Sequence, residues 1–311
     1  MRVVSLLPAA TEIVAALGLV DTLVGVSHEC GHPAEVVTRP RVTQCAIHGN
    51  ALASGETDRW VRETLAHTGT LYTLDESLLR RLAPDAILTQ RLCDVCAVGY
   101  DTVTAFAATL PGPPVVVNLE PLRLADVLDD VRRVGAALGV PERAEAVVAA
   151  LEARIAAVHA RVARAPRRRC VVLEWIDPPF RGGHWTPELV DLAGGVDPLG
   201  RPGDDAVVVS WDAVRDAVPE VLVLACCGYP IERTMADVPL LEARPGWRDL
   251  PAVRATDVYV IDGAAYFSRP GPRLVDSLEI LATLLHPGLF PVAARDTHRR
   301  LEPHTQGELT S

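Results

Sequence analysis

The sequence contains no stretch of about 20 consecutive apolar residues, so no segment of it reads as a membrane-spanning helix. It also lacks any run of Lys or Arg dense enough to overcome its formal net charge of −10. A surface field of that sign repels nucleic-acid phosphates and anionic lipid, which removes both from the expected partners. The densest basic cluster, Arg167, Arg168 and Arg169, stands directly before an apolar run and reads as a charged turn ahead of a strand. No Gly-rich phosphate loop is present. Gly194 and Gly195 follow a helical segment and read as its stop, not as a dinucleotide fingerprint. A Gly-x-Ser-x-Gly nucleophile elbow is missing too. The first eight residues, Met1 to Pro8, show neither the apolar region of a signal peptide nor a lipoprotein cysteine. That sets the expectation of a cytoplasmic protein with reduced thiols.

What is present is the composition of a globular chain: 311 residues, 49% hydrophobic and 23% charged, enough for two modest lobes. The apolar pattern switches between short β-rich runs and helical periodicity, the alternation of α/β units. Strands are expected at residues 3–6, 23–26, 86–88 and 115–117. A helix should open at Pro8, carry Ile13, Val14, Ala16 and Leu17, and stop at Gly18. Leu124, Val127, Leu128, Val131, Val134 and Leu138 then recur at helical spacing. A second, almost unbroken helical run over residues 142–163 would span about 33 Å, long enough to bridge two lobes. The alternation resumes with strands at 171–173, 207–209, 221–224 and 258–261 and a closing helix over 272–285. The expected organisation is an N-terminal α/β lobe over 1–120, linking helices over 121–166, a C-terminal α/β lobe over 167–294 and a flexible tail over 295–311. An internal echo supports it: the segment Leu82 to Leu88 resembles Ala217 to Val223, each a helix end, a proline, an acid and a strand. Each strand then runs into a cysteine pair.

In α/β sheets, ligands collect beyond the carboxyl ends of the strands. Five segments occupy such positions: 27–30, 44–48, 93–96, 174–180 and 226–229. Leu7-Pro8-Ala9-Ala10-Thr11-Glu12 with Val24-Gly25-Val26-Ser27 resembles the opening of the cobalamin- and siderophore-binding members of the ABC-transporter substrate-binding proteins, the helical-backbone class of periplasmic binding proteins. Leu82 to Asp85, Pro178-Pro179-Phe180, and Phe267 with Arg269 to Arg273 extend the resemblance over most of the chain. It implies two Rossmann-like α/β lobes joined by a long backbone helix, with one ligand in the cleft between them and a membrane transporter as the receiving partner. It implies no enzymatic activity. Residues 51–70 look inserted relative to that family.

The sequence departs from the family in its cysteines. Six of seven, Cys30, Cys45, Cys93, Cys96, Cys226 and Cys227, follow expected strand ends, and Cys170 sits at a strand start. Cys93-Asp94-Val95-Cys96 has the spacing with which two thiolates grip one soft metal, a second pair or a histidine completing four ligands. Simple packing of buried thiols is the plainer reading. His28 and His48 are candidate cobalt or zinc ligands, since neutral imidazole binds both. Aromatics amount to only 5% of the chain, yet Trp175, Phe180, Trp185, Tyr229, Tyr266 and Phe267 all lie near strand ends of the second lobe, where they could wall a flat macrocycle. Glu174 and Asp177 are candidate polar contacts to ligand amides, or turn caps.

The expected ligand-binding set is Ser27, His28, Cys30, Cys45, Cys93, Cys96, Glu174, Trp175, Phe180, Cys226, Tyr229 and Phe267, with His28, Cys30, Cys93 and Cys96 as candidate metal contacts. The expected function is non-enzymatic binding of a corrinoid or a related metal chelate. The alternative is a cytosolic protein holding zinc or an iron-sulfur cluster through these cysteines, for sensing or redox catalysis.

Overall fold

The computed structural model of the chain describes residues 1–46, 52–91, 98–291 and 297–302. The chain divides into two compact units, one of Met1–Ala156 with Arg269–Val275, the other of Ala157–Ser268 with Asp276–Ser311.

The first unit contains, in chain order, β1 (Val3–Ser5), α1 (Pro8–Ala16), β2 (Leu23–Val26), β3 (Thr43–Cys45), α2 (Ser54–Thr68), β4 (Tyr72–Leu74), α3 (Glu76–Leu82), β5 (Ala86–Gln90), α4 (Tyr100–Ala107), β6 (Val115–Leu119), α5 (Leu124–Ala137) and most of α6 (Pro141–Val162). Four strands form a parallel sheet in the order β2-β1-β5-β6. A central parallel strand is covered on both faces, and β5 is buried at all five positions. Helix α1 starts on a proline, whose missing N–H is harmless in the first turn, and the chain leaves it through Gly18 at φ +72°. In α5 the buried Leu124, Val127, Leu128, Val131 and Val134 fall three or four residues apart, so one face of the helix joins the core. Asp126 holds its first turn by accepting from the backbone N–H groups of Leu122 (2.9 Å) and Arg123 (2.8 Å).

Within the expected linking helices of residues 121–166, α5 and the first half of α6 supply Leu128, Val131, Val134, Val148 and Leu151 to the core of the first unit. Of the segment over 51–70, residues 54–68 form α2, and β4 after it pairs antiparallel with β3 as a separate two-stranded sheet.

The second unit contains β7 (Arg168–Trp175), β8 (Phe180–Arg181), α7 (Thr186–Leu192), β9 (Gly195–Val196), β10 (Val207–Val208), α8 (Trp211–Asp216), β11 (Val221–Leu224), α9 (Ile231–Glu242), α10 (Pro251–Arg254), β12 (Val258–Ile261), most of α11 (Leu274–Leu285) and β13 (His298–Arg300). Its sheet runs β10-β8-β7-β11-β12-β13, with β9 beside the start of β7. β7, β11 and β12 are parallel, and β11 and β12 are buried throughout.

Part of the expected flexible tail is ordered as a strand. Residues 298–300 form β13, antiparallel to β12. Arg300 pairs with Asp257 at 2.8 Å, and Leu301 packs on the core of this unit. The strand covers backbone groups that β12 would otherwise leave unpaired at the sheet edge. Three residues reading His-Arg-Arg carry no hydrophobic alternation, so the pattern could not announce them.

Candidate functional site

At the carboxyl end of β1 and β2 the first unit buries a chain of small hydroxyls. Ser5 donates to the Leu7 carbonyl (2.9 Å), Thr11 donates to Ser5 (2.8 Å), and the Thr11 hydroxyl lies 3.1 Å from the Cys30 sulfur. Cys30 is 1% exposed and belongs to the hydrophobic core. Burial pushes its thiol upward, and the hydrogen bond to Thr11 only partly offsets this. Such a thiol is a packed hydrophobe. The loop over 27–30 is clamped by Arg41, which donates to the carbonyls of Ser27 (2.9 Å) and Cys30 (2.6 Å).

His28 stands differently. It is half-buried, with 26% of its side chain exposed, and its ring lies 5.5 Å from that of Tyr72. Its backbone N–H donates to the Thr43 hydroxyl (3.0 Å), and its Nδ1 lies 2.7 Å from the same oxygen. The Thr43 hydroxyl in turn donates to Ser27 Oγ at 3.3 Å. Burial, helped by the Arg41 charge, holds the imidazole below its ordinary value and so favours the neutral ring. Its Nε2 lies 3.9 Å from a carboxylate oxygen of Glu29. Arg41, Thr43 and Tyr72 were not foreseen from the sequence. They lie on or beside β3 and β4, two three-residue strands whose polar composition hides them.

The second unit assembles its aromatics after β7 and β11. The Trp175 and Tyr229 rings are 4.8 Å apart at 45°, and the Arg233 guanidinium lies 4.5 Å from the Tyr229 ring. Arg233 is paired with Asp237 at 3.0 Å, both nearly buried. Trp175 donates its indole N–H to the Asp177 carbonyl, and the Asp177 carboxylate meets Arg244 at 2.9 Å. Phe180 is half-buried opposite Trp175 across the β7–β8 pair. This cluster leaves aromatic surface partly exposed at the carboxyl ends of parallel strands, where ligands bind in such sheets.

Other expected site residues have duties within the unit. The Glu174 carboxylate accepts from the Gly183 N–H (3.3 Å) and the Thr186 hydroxyl (2.8 Å), fastening the loop that follows β8. Burial pushes it up to about 7 against those two bonds. Phe267 is 1% exposed; its carbonyl accepts from the Trp185 indole (2.7 Å) and its N–H donates to Ser277 (3.1 Å). Cys226 lies in the core with its thiol pushed up to about 12 by burial, whereas Cys227 is exposed and Cys45 half-buried. Cys93, Cys96 and His48 lie outside the described residues. Among the described residues no group of three or more His, Cys, Asp or Glu side chains is arranged to hold a metal ion. No helix among them is long and apolar enough to cross a membrane.

The sequence matches the periplasmic binding protein family over residues 3–265, and the chain belongs to that family. Its members are non-enzymatic solute-binding proteins that take up small molecules and work with ABC-transporter permeases. Among solved structures, the chain is similar to the periplasmic heme-binding protein RhuT from Roseiflexus sp. RS-1, with 24% identity over 92% of this chain and 98% of that one and a TM-score of 0.67. A periplasmic heme-binding protein from Pseudomonas aeruginosa shares 20% identity over 98% and 99% of the two chains, with a TM-score of 0.74. The periplasmic vitamin B12 binding protein BtuF of Vibrio cholerae shares 21% identity over 92% and 96%, with a TM-score of 0.64. At these identities the likeness establishes the fold of two α/β lobes and nothing finer. No curated protein sequence matches.

The family overturns the expectation of a cytoplasmic protein, because the matched family and these neighbours are periplasmic. The first eight residues and the lack of a long apolar run are a weaker basis than a match across most of the chain.

Proposed function

We propose that the protein binds a metal chelate, with a corrinoid as its ligand, and hands it to an ABC-transporter permease. The observation that carries this reading is His28: a half-buried neutral imidazole beside the carboxyl end of β2, its Nδ1 held by Thr43 and its Nε2 beyond hydrogen-bonding distance of Glu29. An imidazole fixed through one nitrogen, with the other left to bind, is the usual protein ligand to a metal. Within the second unit, the Trp175–Tyr229 pair is apolar surface of the kind a macrocycle requires.

Neighbours named for heme and for vitamin B12 frame the choice of ligand. A corrin carries neutral amides around its ring, whereas heme carries two carboxylates that call for free cations. Arg41, Arg233, Arg244 and Arg273 are each already held by carbonyls or carboxylates of their own unit. That commitment favours the amide-bearing ring. Calorimetric titration with cobinamide, cobalamin and hemin tests the reading: micromolar or tighter corrinoid binding with weaker hemin binding is expected. Tighter binding of hemin would replace the ligand, and binding of none of the three would end the metal-chelate reading.

A further inference from the structure

Thr43 has one hydroxyl hydrogen and three polar neighbours. It lies 3.0 Å from the His28 backbone N, 2.7 Å from His28 Nδ1 and 3.3 Å from Ser27 Oγ. The backbone N–H has a hydrogen to give, so the hydroxyl accepts there. With its own hydrogen directed to Ser27, the hydroxyl has a second lone pair left for Nδ1. The hydrogen in that contact must then come from the ring. A neutral imidazole carries a single ring hydrogen, and placing it on Nδ1 leaves Nε2 with a bare lone pair. Glu29 agrees with this arrangement. Its carboxylate stands 3.9 Å from Nε2, beyond hydrogen-bonding distance. Both supporting hydroxyls are buried, Thr43 at 2% and Ser27 at 4% exposure, so water does not compete for them.

We propose that Thr43, backed by Ser27, is a positioning residue that fixes the tautomer of His28 and presents Nε2 without hydrogen to the metal of the bound chelate. The tautomer rests on the hydrogen bonds that Thr43 makes with a neutral ring; the metal contact rests on the function proposed above. Coordination is then a ligand exchange. The Nε2 lone pair forms a bond to cobalt as the bond from cobalt to an axial water breaks, the water leaves whole, and no electron is transferred. The relay is specific to the hydroxyl, because serine preserves it and valine, of nearly the same shape, removes it.

Two readouts test the proposal separately. The first is a long-range proton–nitrogen correlation spectrum of ligand-free protein labelled with 15N-histidine, the His28 signals being identified by their loss in His28→Ala. Wild type and Thr43→Ser are expected to carry the hydrogen on Nδ1, and Thr43→Val to move toward the other tautomer. A wild-type spectrum with the hydrogen on Nε2 overturns the proposal whatever ligand binds. The second is an absorbance titration with aquacobinamide. Its bands should move to those of imidazole-coordinated cobalt in wild type and Thr43→Ser, much less in Thr43→Val, and not at all in His28→Ala. Calorimetric binding to wild type without band movement overturns the metal contact while the binding function stands. Failure of cobinamide, cobalamin and hemin alike to bind overturns the function and with it the metal contact, and the nitrogen spectrum still decides the tautomer.

Discussion

The two units share an architecture of parallel strands with helices after them, and present opposite chemistries at the carboxyl ends of those strands. The first unit buries Ser5, Thr11, Ser27 and Thr43, whose hydroxyls satisfy one another and steer a single imidazole. The second presents rings and ion pairs, with Trp175 against Tyr229, Arg233 over Tyr229 and Asp177 on Arg244. Topology therefore decides where side chains are offered, and the few residues after each strand decide what is offered. Buried hydroxyls need partners and so form directional networks. Aromatic faces need none, and they supply area.

The comparison can be broken first through an ion pair. Glu12 on α1 is 2% exposed at its side chain and meets Arg273 at 2.5 Å and Arg269 at 3.8 Å. Replacing Glu12 by Ala leaves buried guanidinium charge uncompensated and is expected to lower stability by about 3 kcal/mol in urea unfolding. A loss under about 1 kcal/mol would mean that the first unit depends on ionic pairing as little as its hydroxyl network suggests.

Trp175→Ala tests whether the aromatic end carries binding energy. A loss of about 2 kcal/mol in corrinoid affinity is expected by calorimetry, with the unfolding midpoint little changed. Unchanged affinity would remove the ring from the site.

A smaller, pH-dependent effect belongs to Glu174, which burial raises to about 7 from an ordinary 4.5. A carboxyl raised in the folded state favours folding fully below its unfolded value, and that contribution is lost as pH rises through the folded one. Stability should therefore decline between about pH 4.5 and pH 7, by about 1 to 2 kcal/mol once partial exposure is allowed for. The difference between wild type and Glu174→Gln, followed by urea unfolding across that range, should show the decline. Parallel curves would mean that the Thr186 and Gly183 bonds outweigh desolvation.

The smallest effect should come from Ser210, whose hydroxyl accepts from the Ala213 N–H at 3.1 Å and caps α8. Ser210→Ala should cost about 1 kcal/mol, read in the same unfolding experiment, without touching ligand affinity. A matching loss of affinity would show that the start of α8 contributes to the aromatic cluster.

Much of the fold was legible because its central strands are nearly pure apolar runs. Residues 86–88, 221–224 and 258–261 each became a buried parallel strand. The short strands were not legible. β3, β4, β8 and β13 are two or three residues long and partly polar, too brief for alternation to register. Side-chain direction in loops was equally hidden, since no periodicity operates there. Cys30 and Cys226 follow strand ends as expected and yet belong to the hydrophobic cores, while Thr43, which orients the imidazole, lies inside a strand that gave no signal.

The first unit is not a continuous piece of chain. Arg269–Val275 belongs to it although the residues on either side of that segment belong to the second unit. A gene fragment ending at Ala156 would keep Glu12 and discard both arginines that neutralise it, so dissection at the obvious boundary would manufacture an instability foreign to the intact protein. Homologues exchanging halves by recombination would meet the same barrier: the seven residues Arg269–Val275 must travel with residues 1–156.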